Sequence, residues 1–483
     1  MSSFKVFTNF LWRFFERCGA QAVTLIVSIV LARLLDPSVY GVLALVTVFT
    51  TILQAFVDGG LGNALIQKKD ADDLDFSSVF YFNLAVCLIL YALMFFAAPF
   101  IAAFYEMPEL TAVIRVVSLT LVISGVKNIQ QAYVSRNMMF KKFFFATLGG
   151  TIGAAVLGIW MAYRGYGVWA LVAQNLFNLT VDTLILWITV KWRPKRMFSW
   201  KRLSSLLKYG WKLLASRLLD TVYGEIRSLI IGKKYSASDL AFYNKGKQFP
   251  NLLTNNINDS IDSVLFPTMS KEQEDPAQVK NMARRAIKTS TYVMAPLMMG
   301  LAFCAEPLIR LILTEKWLPC VFFLRVFCIT FMFYPMHTAN LNAMKALGRS
   351  DLFLKLEIIK KAVGMVLLLS SMWFGVKAIA LSALVQSVCS QIINTWPNRK
   401  LLRYGYLEQL KDIIPTILLA VVMGAAVYCV QFIGLSDILT LLIQFVSGAA
   451  IYILGSLVLK LDSLTYVKEL VKNLFTRKKE TSQ

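Results

Sequence analysis

Residues 437–460 read DILTLLIQFVSGAAIYILGSLVLK. The two charges, Asp437 and Lys460, stand at the ends, and the 22 residues between them carry none. A helix needs about 20 mostly apolar residues to cross the hydrocarbon core of a bilayer, so this stretch reads as a membrane span. The same reading, carried back along the chain, finds thirteen more: 10–34, 39–66, 76–103, 109–135, 141–163, 166–190, 204–232, 238–268, 284–312, 318–346, 351–374, 376–402 and 410–433. The second, seventh and eighth are long and polar. The fold expected is an all-α polytopic membrane protein of about fourteen transmembrane helices.

Composition agrees. Hydrophobic residues make up 57% of the 483 and charged residues 16%, against averages of roughly 45–50% and 25% for soluble domains. Fifty Lys and Arg against 28 Asp and Glu leave a formal charge of +22. A nucleic-acid binder would spread that charge over a polar surface, and disorder needs low hydrophobicity. Seven scattered cysteines form no CxxC pair, and His337 is the one histidine. Neither a zinc site nor a thioredoxin-like motif is indicated, and a centre needing two imidazoles is excluded. Arg13, Glu16 and Arg17 interrupt any signal-peptide apolar core, so the N-terminus reads as the start of the first helix.

Alternate loops are strongly basic: Lys68–Lys69, Arg136 with Lys141–Lys142, the run from Lys191 to Arg202, then Lys280 to Lys288, Lys345 to Lys355, Arg399 to Arg403 and the tail with Arg477, Lys478 and Lys479. The intervening loops carry little. This asymmetry places both termini in the cytoplasm. Trp12, Trp192, Trp200, Trp317, Trp373 and Trp396 stand near proposed span ends, as headgroup-level aromatics do.

Two pairs of segments repeat. Leu35-Asp36-Pro37-Ser38-Val39-Tyr40-Gly41 opens the second span, and Ser238-Asp239-Leu240-Ala241-Phe242-Tyr243 opens the eighth. Gly167-Val168-Trp169-Ala170-Leu171 opens the sixth, and Gly375-Val376-Lys377-Ala378-Ile379 the twelfth. Both pairs lie on the same side of the membrane, which is the mark of parallel repeats. The chain is therefore divided into a six-helix lobe (1–195), a second six-helix lobe (196–404), two additional spans (405–464) and a basic cytoplasmic tail (465–483).

No loop exceeds about 15 residues, which leaves no room for a folded catalytic domain, and no phosphate-loop motif occurs. The chain reads as a transporter, not an enzyme. Its polarity lies inside the spans, where ionisable residues are costly and face a bundle interior or a wet cavity. Arg217, Asp220, Gly224 and Arg227 share one face of the seventh span, with Glu225 off it. On the eighth, Asn244, Gln248, Asn251, Asn255, Asn258, Asp259 and Asp262 recur every three or four residues, with Lys245 and Lys247 near its outer end. The structural alternatives are a salt-bridge ladder and an interhelical hydrogen-bond seam. In the first half, Asp58 precedes Gly59, Gly60 and Gly62, a place where a helix can bend. Arg115 reads as snorkelling. Interior cations (Arg13, Arg17, Lys127, Arg217, Arg227, Lys245, Lys247, Arg325) outnumber anions (Glu16, Asp58, Asp220, Glu225, Asp259, Asp262). Such a cavity suits an anionic, polyhydroxylated ligand: Arg forks for phosphate oxygens and amides for sugar hydroxyls. The substrate-binding candidates are Arg217, Arg227, Lys245, Lys127, Asn244, Gln248, Asn251 and Asn255. The ion-coupling candidates are Asp58, Asp220, Glu225 and Asp259.

The stretch from Asn244 through Lys245-Gly246-Lys247-Gln248-Phe249-Pro250-Asn251 to Val264-Leu265-Phe266-Pro267 resembles a signature of Wzx-type polysaccharide flippases. Arg164-Gly165-Tyr166-Gly167-Val168-Trp169-Ala170-Leu171-Val172-Ala173-Gln174 resembles a second. The resemblance implies membership of the multidrug/oligosaccharidyl-lipid/polysaccharide exporter superfamily, with two six-helix lobes forming a V plus two helices. It implies translocation of a polyprenyl-pyrophosphate-linked oligosaccharide from the inner to the outer leaflet of the bacterial inner membrane, by alternating access. It further implies a monomer with no cofactor beyond proton or sodium coupling, whose partners are membrane lipids, a polysaccharide polymerase and glycosyltransferases, and not nucleic acid. No fixed ion site of the family matches residue by residue. A flippase of the peptidoglycan lipid precursor and an ion-coupled multidrug exporter are the competing expectations.

Overall fold

All regular structure in residues 19, 21–58 and 60–466, which the computed structural model describes, is helical. Trp12, Arg13, Glu16 and Arg17, Gly59 and the basic residues past 466 lie outside the described residues. Contacts group the chain into two units that meet between Ala241 and Phe242.

The first unit holds α1 (Gln21–Leu34), α2 (Pro37–Val57), α3 (Leu61–Gln67), α4 (Asp73–Tyr105), α5 (Leu110–Val117), α6 (Leu119–Arg136), α7 (Phe140–Tyr163), α8 (Val168–Thr189), α9 (Trp200–Lys234) and the start of α10 (Ala237–Lys271). The second holds the rest of α10, then α11 (Pro276–Phe303), α12 (Ala305–Leu313), α13 (Cys320–Met332), α14 (Tyr334–Ala346), α15 (Ser350–Ser371), α16 (Val376–Leu401), α17 (Tyr406–Cys429) and α18 (Asp437–Val458). Among the described residues nine segments are long and apolar enough to cross a membrane, counting α2–α3, α5–α6 and α13–α14 as one each; α11–α12, bent by 67°, makes a tenth. The remaining expected spans are helices too: α1 is apolar, while α9, α10 and α15 carry more charge. The protein is an all-α polytopic membrane protein.

Local chemistry sets the helix starts. Asp72 and Asp75 form a capping box at the head of α4, with N–H to carboxylate distances of 3.0 and 3.2 Å. These carboxylates and that of Asp73 hold basic residues: Lys68 and Arg202 on Asp75 at 2.6 and 3.4 Å, Arg202 on Asp72 at 3.0 Å and Lys195 on Asp73 at 2.5 Å. The basic run before α9 thus latches the head of α4. Gly167 and Gly375, the matched starts of α8 and α16, both stand in the cap position with positive φ, +54° and +96°, a conformation that favours glycine.

Prolines inside spans dictate some of the contacts between helices. A proline has no N–H, so it frees the carbonyl four residues back, and in hydrocarbon a freed carbonyl needs a new donor. Pro99 frees Phe95, whose carbonyl accepts from Arg115 Nε at 3.2 Å. Pro296 frees Tyr292, whose carbonyl accepts from the Tyr452 hydroxyl at 2.8 Å. At the bend at Cys304 the end of α11 leaves the Phe303 carbonyl without a partner in its own helix, and it accepts from Gln431 at 2.9 Å. Arg115 therefore does not simply snorkel. Its guanidinium also lies 4.2 Å from the Phe95 ring centroid. Arg325, in the span six places later, makes the matching contact, donating from Nε to the Ala302 carbonyl at 3.2 Å. The spans that carry these two arginines are both broken in the middle, at Ser118 and at Phe333.

Candidate functional site

Helix α2 is apolar except along one line: Thr47, Thr50, Thr51, Gln54 and Asp58, spaced to share a face. That line forms one wall of a cavity of about 270 Å³ in the first unit, closed by Thr120 of α6, Asn175 of α8, and Arg217 and Thr221 of α9. The threonines donate into their own helices: Thr50 to the Thr47 carbonyl at 3.1 Å and Thr221 to the Arg217 carbonyl at 2.8 Å. Their donors are satisfied, and the hydroxyl lone pairs remain as acceptors.

At the bottom of this wall the helix stops. Asp58 is the C-terminal cap of α2, and Gly60 follows at φ +91°, where an added Cβ would lie 2.9 Å from the Gly210 carbonyl. The break turns the Asp58 carboxylate out of the helical ladder and into a ring of donors. Gln54 Nε2 and Asn128 Nδ2 reach Oδ1 at 3.1 and 3.0 Å, and Arg217 Nη2 reaches Oδ2 at 3.2 Å. Arg217 is therefore paired with Asp58, not with the Asp220 one turn along its own helix. The reason is local: α2 ends at Asp58, which brings that carboxylate within reach of Arg217 on α9. The Arg217 side chain is 54% exposed and Asp58 30%, so the clasp is open to solvent on the arginine side.

The other predicted residues are dispersed. Lys127 does not line this cavity. It is ion-paired with Asp182 of α8, and their side chains are only 13% and 10% exposed. Asp220, Glu225 and Arg227 lie further along α9, Asp220 exposed and the other two half-buried. On α10, Lys245 is buried with its ammonium 5.7 Å from the Trp317 ring centroid. Asn244, Gln248 and Asn251 are half-buried, while Asn255 and Asp259 are exposed. Part of the α10 stripe is a seam with α14: Thr338 donates to Asn258 at 3.4 Å and Asn342 to Asp262 at 2.7 Å.

Several polar residues were not anticipated: Thr47, Thr50, Thr51, Gln54, Thr120, Asn128, Asn175 and Asp182. The period of the threonines on α2 could have revealed that wall, but threonine scarcely lowers hydropathy. A second unanticipated feature is a fully buried amide knot in the second unit. Asn340 and Gln409 exchange two hydrogen bonds at 2.8 and 2.9 Å, and Asn398 donates to Asn340 Oδ1 at 2.7 Å. Among the described residues no group of three metal-ligating side chains comes together.

A model of the lipid II flippase MurJ matches residues 227–452. Among relatives, the succinoglycan biosynthesis transport protein ExoT of Rhizobium meliloti (strain 1021) is 24% identical over 63% of this chain and 62% of its own length. The teichuronic acid biosynthesis protein TuaB of Bacillus subtilis (strain 168) is 27% identical over 63% of each chain. The lipopolysaccharide biosynthesis protein WzxC of Escherichia coli (strain K12) is 22% identical over 68% of each. The match thus spans somewhat under two thirds of the first two relatives. In fold, the chain is similar to MurJ in its inward closed conformation, with a TM-score of 0.74 at 16% identity over 95% of this chain and 100% of that one. It is also similar to an inward-facing multidrug resistance transporter of the MATE family and MOP superfamily, with a TM-score of 0.61 at 14% identity over 80% and 94%. The model described as polysaccharide biosynthesis protein matches residues 30–322, more than half of the length, and the chain belongs to that family.

Proposed function

We propose that this protein is a flippase that carries a polyprenyl-pyrophosphate-linked oligosaccharide from the inner to the outer leaflet of a bacterial inner membrane, by alternating access and without covalent chemistry. The reading rests on the family membership and on one observation: an arginine clasped by a carboxylate on the wall of a polar cavity. A pyrophosphate brings charge into a medium where even one ionised side chain at the bilayer centre costs about 2.5–3.5 kcal/mol on insertion scales. A fixed guanidinium offsets that charge, and its fork can take two oxygens at once. Asp58 holds Arg217 when the cavity is empty. When phosphate takes Arg217, the Gln54 and Asn128 amides still satisfy one oxygen of Asp58. The other oxygen is then available for a proton or sodium ion, which would couple the cycle. The cavity is smaller than the roughly 300–1,000 Å³ of drug-sized ligand pockets. It therefore fits the phosphate and first sugar, with the lipid tail left in the bilayer.

The test is translocation of a fluorescent lipid-linked oligosaccharide in proteoliposomes, read by quenching from outside. The expected result is transport by the wild type, loss in Arg217→Ala and partial retention in Arg217→Lys, which keeps charge and loses the fork. Full transport by Arg217→Ala would remove the arginine from the mechanism. Movement of cationic drugs but no glycolipid would make the protein a multidrug exporter. The MurJ-model match over 227–452 favours a second reading, a flippase of the peptidoglycan lipid precursor; supplying that precursor in the same vesicles separates the two.

A further inference from the structure

The second unit has a cavity of its own, about 470 Å³, between α11 and the stretch that follows α18. Arg284, Arg285 and Lys288 line it from α11; Asp462, Ser463 and Tyr466 line it from the other side. Its depth in the bilayer follows from length. Helix α18 has 22 residues and rises about 33 Å, against a hydrocarbon core of about 30 Å. Residues 462–466, immediately past its end, therefore stand at headgroup level. On α11 the same level is marked by Lys288, because Thr289 to Cys304 holds no charge.

The cations at this level are prearranged. Arg284 is held by Asp412 at 2.6 Å, and Lys288 by Asp462 at 2.9 Å. Lys288 in turn holds the Asp462 carboxyl below the usual carboxylate range. Arg285 is different. Its guanidinium lies 3.5 Å from the centroid of the Tyr466 ring, and it forms no ion pair among the described residues. A guanidinium laid on an aromatic face keeps its N–H edge available. Asp462 is 84% exposed and lies at the rim, so Lys288 can serve two anions. The sequence past Tyr466 adds Lys468, Lys472, Arg477, Lys478 and Lys479, a basic segment of the kind that draws anionic lipid to the end of a span.

We propose that this cavity seats the phosphate of an anionic phospholipid headgroup, with Arg285 as the fork, Lys288 as the second cation and Ser463 as a hydroxyl donor. The site is distinct from the substrate reading above and does not depend on it.

The full chain in detergent is titrated with phosphatidylglycerol or with phosphatidylethanolamine of the same acyl chains, and lipid adducts are counted by native mass spectrometry. The wild type should retain phosphatidylglycerol at about tenfold lower lipid concentration than the zwitterion, which offers the same phosphate but brings an ammonium that Arg284, Arg285 and Lys288 repel. Arg285→Gln with Lys288→Gln should abolish that preference, and Arg349→Gln with Lys355→Gln should leave it intact. Should the first double variant fail to fold, Arg285→Lys serves instead; it keeps the charge, loses the fork and should lose part of the preference. Equal retention of the two lipids by the wild type would overturn the proposal, as would an unchanged preference in either Arg285 variant. Inorganic pyrophosphate is the last arm. If it binds alone with the same dependence on Arg285 and displaces the lipid, the site serves a soluble phosphate and the headgroup assignment is wrong.

Discussion

Lys127 and Arg217 read alike in the sequence, as interior cations, yet the structure predicts opposite outcomes for their removal. The Lys127–Asp182 pair is 13% and 10% exposed, and Asp182 Oδ1 has no hydrogen-bond donor among the described residues. Lys127→Ala leaves a buried carboxylate with its charge uncompensated, which costs about 3–5 kcal/mol. Arg217→Ala removes a pair that is 54% and 30% exposed, and Asp58 keeps its bonds to Gln54 and Asn128. Exposed pairs are worth about 0.2–1 kcal/mol. For a unit of 150–250 residues each kcal/mol moves the melting temperature by about 2–4 °C. The expected shifts are thus about 6–20 °C for Lys127→Ala and at most about 4 °C for Arg217→Ala, read by thermal unfolding in detergent. The double change Lys127→Ala with Asp182→Ala should recover most of the loss and, in the proteoliposome assay, most of the transport. Arg217→Ala should fold and not transport. Equal melting shifts for the two single variants, or a double variant no more stable than Lys127→Ala, would refute the division of these cations into structural and functional.

Two further outcomes follow from hydrogen bonds. Arg115→Ala strands the Phe95 carbonyl that Pro99 frees and should destabilise by about 1–3 kcal/mol; Pro99→Ala in the same chain restores an N–H and should cancel the loss in a melting-curve cycle. Asn340→Leu removes the side-chain amide between Gln409 and Asn398, both 0% exposed. Asn398 keeps its bond to the backbone carbonyl of residue 340 and Gln409 its bond to the Tyr404 carbonyl, so Gln409 Oε1 is the atom left without its donor; the change should cost about 1–3 kcal/mol, seen as reduced folded yield, whereas Asn255→Leu, at an exposed position, should change the yield little.

Much of the fold was legible in the sequence because a span is a property of one window. Residues 437–460 announce themselves by apolar length alone, and each expected span falls on one helix or on a pair of helices wherever it is described. The site was less legible because it is made of pairs. Nothing near Arg217 in the chain names Asp58, which lies 159 residues away and reaches α9 only because α2 ends there. Asp58 and its glycines were recognised as a bend; the partner was not. The α10 stripe shows the opposite failure. Its period is unmistakable, but a period specifies a face and not what covers it, and the structure gives Asn258 and Asp262 to α14 and buries Lys245 beside Trp317.

One class of long-range contact was nevertheless readable and went unread. A proline within a span is a statement about another residue, because the carbonyl four positions earlier must find a donor that its own helix lacks. Pro99 and Pro296 each make that demand, and Arg115 and Tyr452 answer it. Each donor is a polar side chain in an otherwise apolar stretch, so the pairing could have been sought from composition alone. For Arg115 this changes the meaning of the charge. An intramembrane arginine invites a functional reading by default, yet one whose Nε is committed to a proline-freed carbonyl is part of the scaffold. Arg325, whose Nε donates to the Ala302 carbonyl beside the break at Cys304, is tied to the scaffold too and does not join the list of substrate-binding candidates. Arg217 stays on it, because its counter-ion keeps two amide donors of its own and can let the guanidinium go.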